Sequence, residues 1–295
     1  LESSDQRPIL AGIAAETVQI LERGFYTSAA GTRIELAAWI ERCVAGSAYF
    51  EPEALAEIEA AVLAQQTPSG HTSIAVVEES TLAGARALAE QGGFQRVGVL
   101  NFASGRRPGG GFLNGAGAQE ESLARSSALY PSLLAHPEYY SDHRHLTGHR
   151  YSDRMIYSPD CPVLRDDAGN LLDEPYRVDF ITSVAPNAGA LGKRRRRSGA
   201  PLSAILRRRI GKILALACAQ GCDALVLGAW GCGVFRNDPV VVAAIFAEFL
   251  LEGGPFCGRF RHVRFSVMER EDQRRNYLTF AERLNSFAPT GRNES

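Results

Sequence analysis

The chain lacks any apolar run near the ~20 residues that a membrane-spanning helix requires, so no membrane partner is expected. Its first residues, Leu1 to Gln6, lack the basic and apolar blocks of a signal peptide, which points to a cytoplasmic protein. The start on Leu1 rather than methionine reads as trimmed or engineered and leaves an upstream address open. None of the six cysteines (Cys43, Cys161, Cys218, Cys222, Cys232 and Cys257) pairs as Cys-x-x-Cys. Most lie in apolar segments and are expected to be buried free thiols. Cys218 and Cys222 would share a face if their helix runs that far, but two further metal ligands are missing, so no metal is expected. A net charge of -1 does not announce a polyanion binder. Familiar nucleotide motifs are absent too: Gly189 to Lys193 has the wrong spacing for a P-loop. Gly115-Ala116-Gly117 fails at the third glycine of a dinucleotide fingerprint.

What is present is a glycine triplet, Gly109-Gly110-Gly111, followed seven residues later by Gln119-Glu120-Glu121. At this glycine content a shuffled chain would contain a triplet about a quarter of the time, so its surroundings carry the meaning. The strand-like run Arg96 to Ala103 ends just before it, and a helix-like run, Ser122 to Leu129, begins just after. A strand, a glycine turn and a helix in that order form a phosphate-binding turn. A second such turn, Gly228 to Asn237, follows the apolar strand Ala224 to Leu227. Both turns would open at the carboxyl ends of strands and converge on one crevice, where backbone N–H groups can hold a diphosphate. The only basic side chains that these turns offer are Arg106, Arg107 and Arg236.

At 295 residues the chain can hold one large domain or a domain with a small extension. Leu36, Trp39, Ile40, Cys43 and Val44 form a helical stripe, and Glu51-Pro52-Glu53 can open a second helix, whose stripe Glu59 interrupts. Phe25 to Thr27 and Thr32 to Leu36 flank Gly31 and can pair as a hairpin, so Leu36 is claimed by both readings. Gln65 to Gly70, polar and turn-rich, is the expected boundary between residues 1–70 and 71–295. Beyond it strands and helices alternate: strands at Ser73 to Val77, Val97 to Ala103, Arg154 to Tyr157, Arg177 to Val184, Ala224 to Leu227 and His262 to Val267. Helices are expected over Thr81 to Gln91, Glu120 to Tyr130, Leu202 to Gln220, Pro239 to Leu251 and around Tyr277 to Leu284. Such alternation argues a largely parallel sheet covered on both sides. Residues 137–153 read as a polar loop, with His143, His145 and His149 solvated and zinc ligation there as the alternative. Lys193 to Arg197 and Arg207 to Arg209 are dense in charge. A solvated loop with incidental steering of a polyanion is favoured there over nucleic-acid binding.

The string Gly-Gly-Gly-x7-Gln-Glu-Glu, the second turn Gly228 to Asn237, and the stretches Tyr157 to Asp160 and Ser183 to Asn187 together resemble the bacterial-type poly(ADP-ribose) glycohydrolases. The resemblance covers about residues 71–295. It implies a macrodomain-like three-layer α/β/α fold with a largely parallel or mixed central sheet, and a mainly helical N-terminal extension over 1–70. It further implies a glycohydrolase that releases ADP-ribose from poly(ADP-ribose), working from the free end, as a monomer without a cofactor.

Successive helix positions point about 100° apart, so Glu120 and Glu121 cannot oppose each other across one bond as ordinary glycosidase carboxylates do. One acid/base and one ribose-gripping carboxylate fit better. By resemblance, Glu121 is the acid/base, protonating the 2′-oxygen leaving group and then activating water. That role requires its proton to be in place when the polymer arrives. Glu120 would hold ribose hydroxyls and Gln119 would brace the loop. Decoration of a helix N-terminus is the plainer alternative for all three. The other expected ligand contacts are Gly109, Gly110, Gly111, Gly231, Cys232, Gly233, Val234 and Asn237, with Asn101 on the distal ribose. Phe235 would pack on that ribose, and Phe280 or Tyr277 would stack on adenine, although each aromatic has a core role as its alternative. Ala185-Pro186-Asn187 would line the adenine pocket. A binding module without catalysis, or a hydrolase of mono-ADP-ribosylated proteins, are the rival functions.

Overall fold

The computed structural model describes residues 6–66, 70–91, 93–146, 148–191, 200–269 and 274–285. Its centre is a seven-stranded sheet, built from β3 (Ala48–Phe50), β4 (Ser73–Val77), β5 (Val97–Phe102), β6 (Met155–Arg165), β7 (Leu171–Ser183), β8 (Ala224–Leu227) and β9 (His262–Ser266). The spatial order is β3-β6-β7-β5-β8-β9-β4. From β7 to β4 every neighbouring pair is parallel, whereas β6 runs antiparallel to both β7 and β3. The sheet is therefore mixed, with helices on both faces. A separate hairpin pairs β1 (Phe25–Thr27) with β2 (Arg33–Glu35), as the Gly31 turn predicts.

Side-chain alternation shows why the sheet is sandwiched. Along β8, Leu225 and Leu227 enter one core while Ala224 and Val226 enter the other; Leu100 and Val99 of β5 divide the same way. The first core is closed by α3 (Pro52–Ala64), α8 (Leu202–Ala219), α9 (Pro239–Leu250) and α10 (Arg275–Leu284). The second is closed by α1 (Gln6–Arg23), α2 (Ala37–Gly46), α4 (Thr81–Gln91), α5 (Gln119–Ser126), α6 (Leu129–Leu134) and α7 (Pro137–His145).

Several sequence expectations change. Residues 65–70 do not separate two bodies of packing, because β3 already sits in the main sheet and α3 lies against α8. Leu36 belongs to neither hairpin nor helix; it is fully buried just before α2, with its N–H on the Gly24 carbonyl at 2.7 Å. The helix expected over 120–130 breaks at Ser127, which bridges to Val163, and restarts as α6. The polar loop of 137–153 contains α7, whose Tyr139, Tyr140 and His143 are buried. His143 is thus no solvated histidine: burial and the Arg209 charge lower its pKa to about 4. Its Nε2 lies 2.8 Å from Ser152 Oγ. The six thiols are all free, and among the described residues no group of three or more His, Cys, Asp or Glu is placed to hold a metal ion. No described helix is long and apolar enough to cross a membrane.

The arginine runs also resolve unevenly. Arg207 pairs with Glu248, while Arg208, Arg209 and Lys212 converge on Asp153, with Arg209 wholly buried. Burial opposes the charge on Asp153, but these cations outweigh it and hold the carboxyl at about 2. Arg207 to Arg209 are therefore structural ion-pair partners, not a steering patch. The Lys193 to Arg197 run lies outside the described residues.

Candidate active site

Gln119 and Glu120 at the start of α5 are stapled to the carboxyl end of β5 and the turn after it. Gln119 Oε1 accepts the Phe102 N–H at 2.9 Å, and its Nε2 donates to the Leu100 carbonyl at 2.8 Å and to Thr81 Oγ1 at 3.2 Å. Gln119 thus completes the sheet edge that the strand leaves open. Next to it, Glu120 is only 3% exposed, and its Oε2 accepts the Ser104 N–H at 2.7 Å. Burial pushes its carboxyl well above the ordinary carboxylate range, and the Ser104 N–H only partly opposes this. Asn101 is wholly buried behind Glu120, 3.2 Å from Thr182 Oγ1 and 3.5 Å from Glu120 Oε1. Asn101 thus stands behind Glu120, with its Oδ1 left without a hydrogen-bond partner among the described residues.

Glu121, less buried than Glu120, also lines the open cleft. The Gly111 N–H donates to its Oε1 at 2.9 Å, and among the described residues its Oε2 has no hydrogen-bond partner. Gly109 and Gly110 turn the chain through φ values of 64° and 61°, the left-handed region that favours glycine. A Cβ at Gly110 would collide with Glu121 Oε1. The missing Cβ at Gly110 therefore makes room for the carboxylate, while the Gly110 and Gly111 N–H groups are taken by the Arg107 carbonyl and by Glu121 itself.

The second turn is built differently. Trp230, fully buried, donates its indole N–H to the Ser183 carbonyl at 3.1 Å and so ties the β8 turn to the end of β7. Gly231, at φ 73°, leaves no space for a Cβ, which would lie 2.6 Å from both Ala185 Cβ and Asn237 Nδ2. Asn237 is 4% exposed and donates to the Pro186 and Gly231 carbonyls at 2.8 and 2.9 Å. Its Nδ2 braces the two loops, and its Oδ1 has no hydrogen-bond partner among the described residues. Cys232 lies off the main cleft in a separate hollow of about 380 Å³, and burial pushes its thiol up to about 12. Val234 is 78% exposed on the cleft rim, and Phe235 faces the cleft, its ring 6.2 Å from that of Tyr151 at 20°. Phe280 is wholly buried against Phe246 and Phe265, so its expected stacking on adenine gives way to its core alternative. Tyr277 packs at the edge of the same core beneath Arg274.

These pieces surround one cleft of about 1200 Å³, lined by both glycine turns together with Glu120 and Glu121. It runs along the carboxyl edge of the parallel strands. At the β9 and β4 side it meets Ser266, Met268, Ser80 and Thr81; at the β7 side it meets Ala185, Asn187, Tyr151 and Phe235. Two contributors were not foreseen. Tyr151, at φ 55°, carries no spacing signal. Ile9, Leu10 and Ile13 of α1 form a wall, and their apolar cluster was the available signal.

An α/β sandwich whose two glycine turns and adjacent glutamates meet in one cleft at the strand ends has the form of a nucleotide-binding hydrolase. Residues 14–166 match the family model described as the microbial-type PARG catalytic domain. The chain is 50% identical to the poly(ADP-ribose) glycohydrolase of Thermomonospora curvata, covering 94% of this chain and 100% of that one at a TM-score of 0.90. That organism's enzyme bound to the inhibitor ADP-HPD is 49% identical, with the same coverage and a TM-score of 0.87. The Deinococcus radiodurans poly(ADP-ribose) glycohydrolase in complex with ADP-ribose is 40% identical, covering 86% of this chain and 99% of that one at a TM-score of 0.78. Comparison with curated protein sequences returns no match. The chain belongs to the microbial-type poly(ADP-ribose) glycohydrolase family.

Proposed function

We propose that this chain hydrolyses the ribose–ribose O-glycosidic bonds of poly(ADP-ribose), with Glu121 as the one acid/base. The observation that carries this reading is that two glycine turns and the Glu121 carboxylate line a single cleft. In the second turn the N–H groups of Gly231, Gly233, Val234 and Phe235 line the cleft without a partner among the described residues and suit a diphosphate. The α5 N-terminus opposite favours negative charge. With the terminal ADP-ribose so placed, the Gly111 N–H fixes one Glu121 oxygen and the other meets the glycosidic oxygen.

Glu121 gives its proton to the 2′-oxygen of the leaving ribose as the bond from that oxygen to the anomeric carbon breaks. The positive charge that develops on the sugar is offset by the neighbouring diphosphate. The Glu121 carboxylate then takes a proton from water, whose oxygen bonds to the anomeric carbon. The products are ADP-ribose and a polymer one unit shorter, and Glu121 is again protonated. Glu120, pinned by Ser104 and Asn101, holds ribose hydroxyls in register.

Glu121→Gln preserves shape and removes the transferable proton. It should keep ADP-ribose binding while turnover of polymer falls by about 10²–10⁴-fold. Chromatography after incubation with polymer, and separately with mono-modified protein, provides the measurement. Free ADP-ribose from polymer alone supports the reading; product from neither substrate, with binding intact, would indicate a reader, and product from mono-modified protein the other hydrolase.

A further inference from the structure

We propose that Arg106, Arg107 and Arg144 form an anion subsite at the cleft mouth that holds the diphosphate of the next polymer unit, the one released across the cut bond. This rests on the polymer-cleaving function proposed above and adds the recognition of what lies beyond the reacting sugar.

Many arginines elsewhere pair with carboxylates: Arg264 with Glu79, Arg274 with Glu78, Arg208 with Asp153, Arg96 with Asp179. Arg106 and Arg107 line the cleft and Arg144 lies beside them; all three are exposed, with no carboxylate partner among the described residues. They are not carried on a loose loop. Ser104 Oγ accepts the Arg106 and Arg107 N–H groups at 3.1 and 3.3 Å, and the Arg107 carbonyl accepts the Gly110 N–H at 3.0 Å. Arg144 reaches from the end of α7 to donate to the Arg106 carbonyl at 3.0 Å. The Ser104 N–H in the same turn binds Glu120, so the arginines are fixed relative to the reacting carboxylates.

Their side of the cleft is the Tyr151 and Phe235 side. Gly105, between Ser104 and Arg106, lies so close to the Tyr151 ring that a Cβ would approach it to 2.8 Å. The terminal unit's own diphosphate is already served by the second glycine turn, so these cations suit a second anion. Guanidinium groups bind phosphate oxygens through paired N–H donors. A ribose-linked ADP-ribose dimer offers a second diphosphate on the leaving side, whereas a mono-modified side chain does not.

The test uses the full chain carrying Glu121→Gln, so that oligomers persist. ADP-ribose and the ribose-linked dimer are titrated separately by calorimetry, at low and high salt. The dimer is expected to bind roughly tenfold tighter than the monomer at low salt, with the ratio shrinking as salt screens the arginines. Adding Arg106→Gln and Arg107→Gln should bring the ratio close to one while the monomer binds as before. Both side chains are exposed, so the substitution leaves the core intact, and unchanged monomer affinity reports on the fold. Equal affinities with the arginines present, or a dimer preference that survives their loss, overturns the subsite alone. A monomer that does not bind at all overturns the proposed function and the subsite with it.

Discussion

The two glycine turns serve one cleft, yet they use the missing Cβ for different ends. In the first, the space at Gly110 is taken by the Glu121 carboxylate, so the glycine is part of the reacting apparatus. In the second, the space at Gly231 is filled by Ala185 and Asn237, which lock the loop to its neighbours. Two residues on, a Cβ at Gly233 would meet nothing within 4 Å. One turn is thus shaped around an acid, while the other is anchored at one glycine and open at the next.

Gly110→Val attacks the first turn and should have the largest effect. The side chain would both strain a left-handed residue and displace Glu121. Polymer turnover should fall on the order of 10³-fold, and ADP-ribose affinity should weaken as the backbone moves off the diphosphate. Steady-state kinetics with calorimetry checks both; retained turnover would separate the triplet from the acid. Gly231→Ala tests the anchor. Crowding against Ala185 and Asn237 at positive φ should cost roughly 2–3 kcal/mol of stability, seen in urea melts. A melt that does not shift would show that the second turn yields easily. Gly233→Ala should leave stability alone, since its surroundings are open, but weaken ADP-ribose about tenfold by disturbing one hydrogen bond to a charged group. Unchanged affinity would deny this part of the turn any contact with the ligand.

What the sequence made legible was local. β5, the triplet and the start of α5 are adjacent in the chain, and local pattern suffices for them. The second turn was equally readable behind its apolar strand. Contacts made at a distance were not. Asn237 has the residue type of a ligand contact, and its Nδ2 is spent on two carbonyls, one of them Pro186 far back in the chain. Asn101 stands at a strand end as a ligand group would, and its Nδ2 faces Glu120. The sequence Pro137 to His145 is polar enough to pass for a loop, and only the packing of Tyr139 and Tyr140 beneath the site reveals a buried helix. Likewise β6 continues past Pro159 and Pro162, because a bulge between Ser158 and Cys161 absorbs the break in pairing. Phe280 obeyed its helical spacing and went to the core.

The adjacent glutamates offer the finest version of the comparison, since one is buried and the other only partly so. Burial raises the pKa of Glu120 in the folded chain, so it holds its proton where the unfolded chain would already have lost it. Its contribution is therefore fully present below the unfolded value of about 4.5 and is lost as pH rises toward the folded one. Glu120→Gln removes the ionisation and retains an oxygen for the Ser104 N–H. The melting temperature of the variant should match that of the parent near pH 4 and exceed it by a few degrees at pH 8, in differential scanning calorimetry. A difference that does not widen with pH would mean that Glu120 is already charged in the fold, and that the Ser104 N–H outweighs burial at this carboxylate. Where the difference does widen, Glu120→Gln gains stability at pH 8 and should lose turnover of polymer, as the proposed hold of Glu120 on the ribose requires.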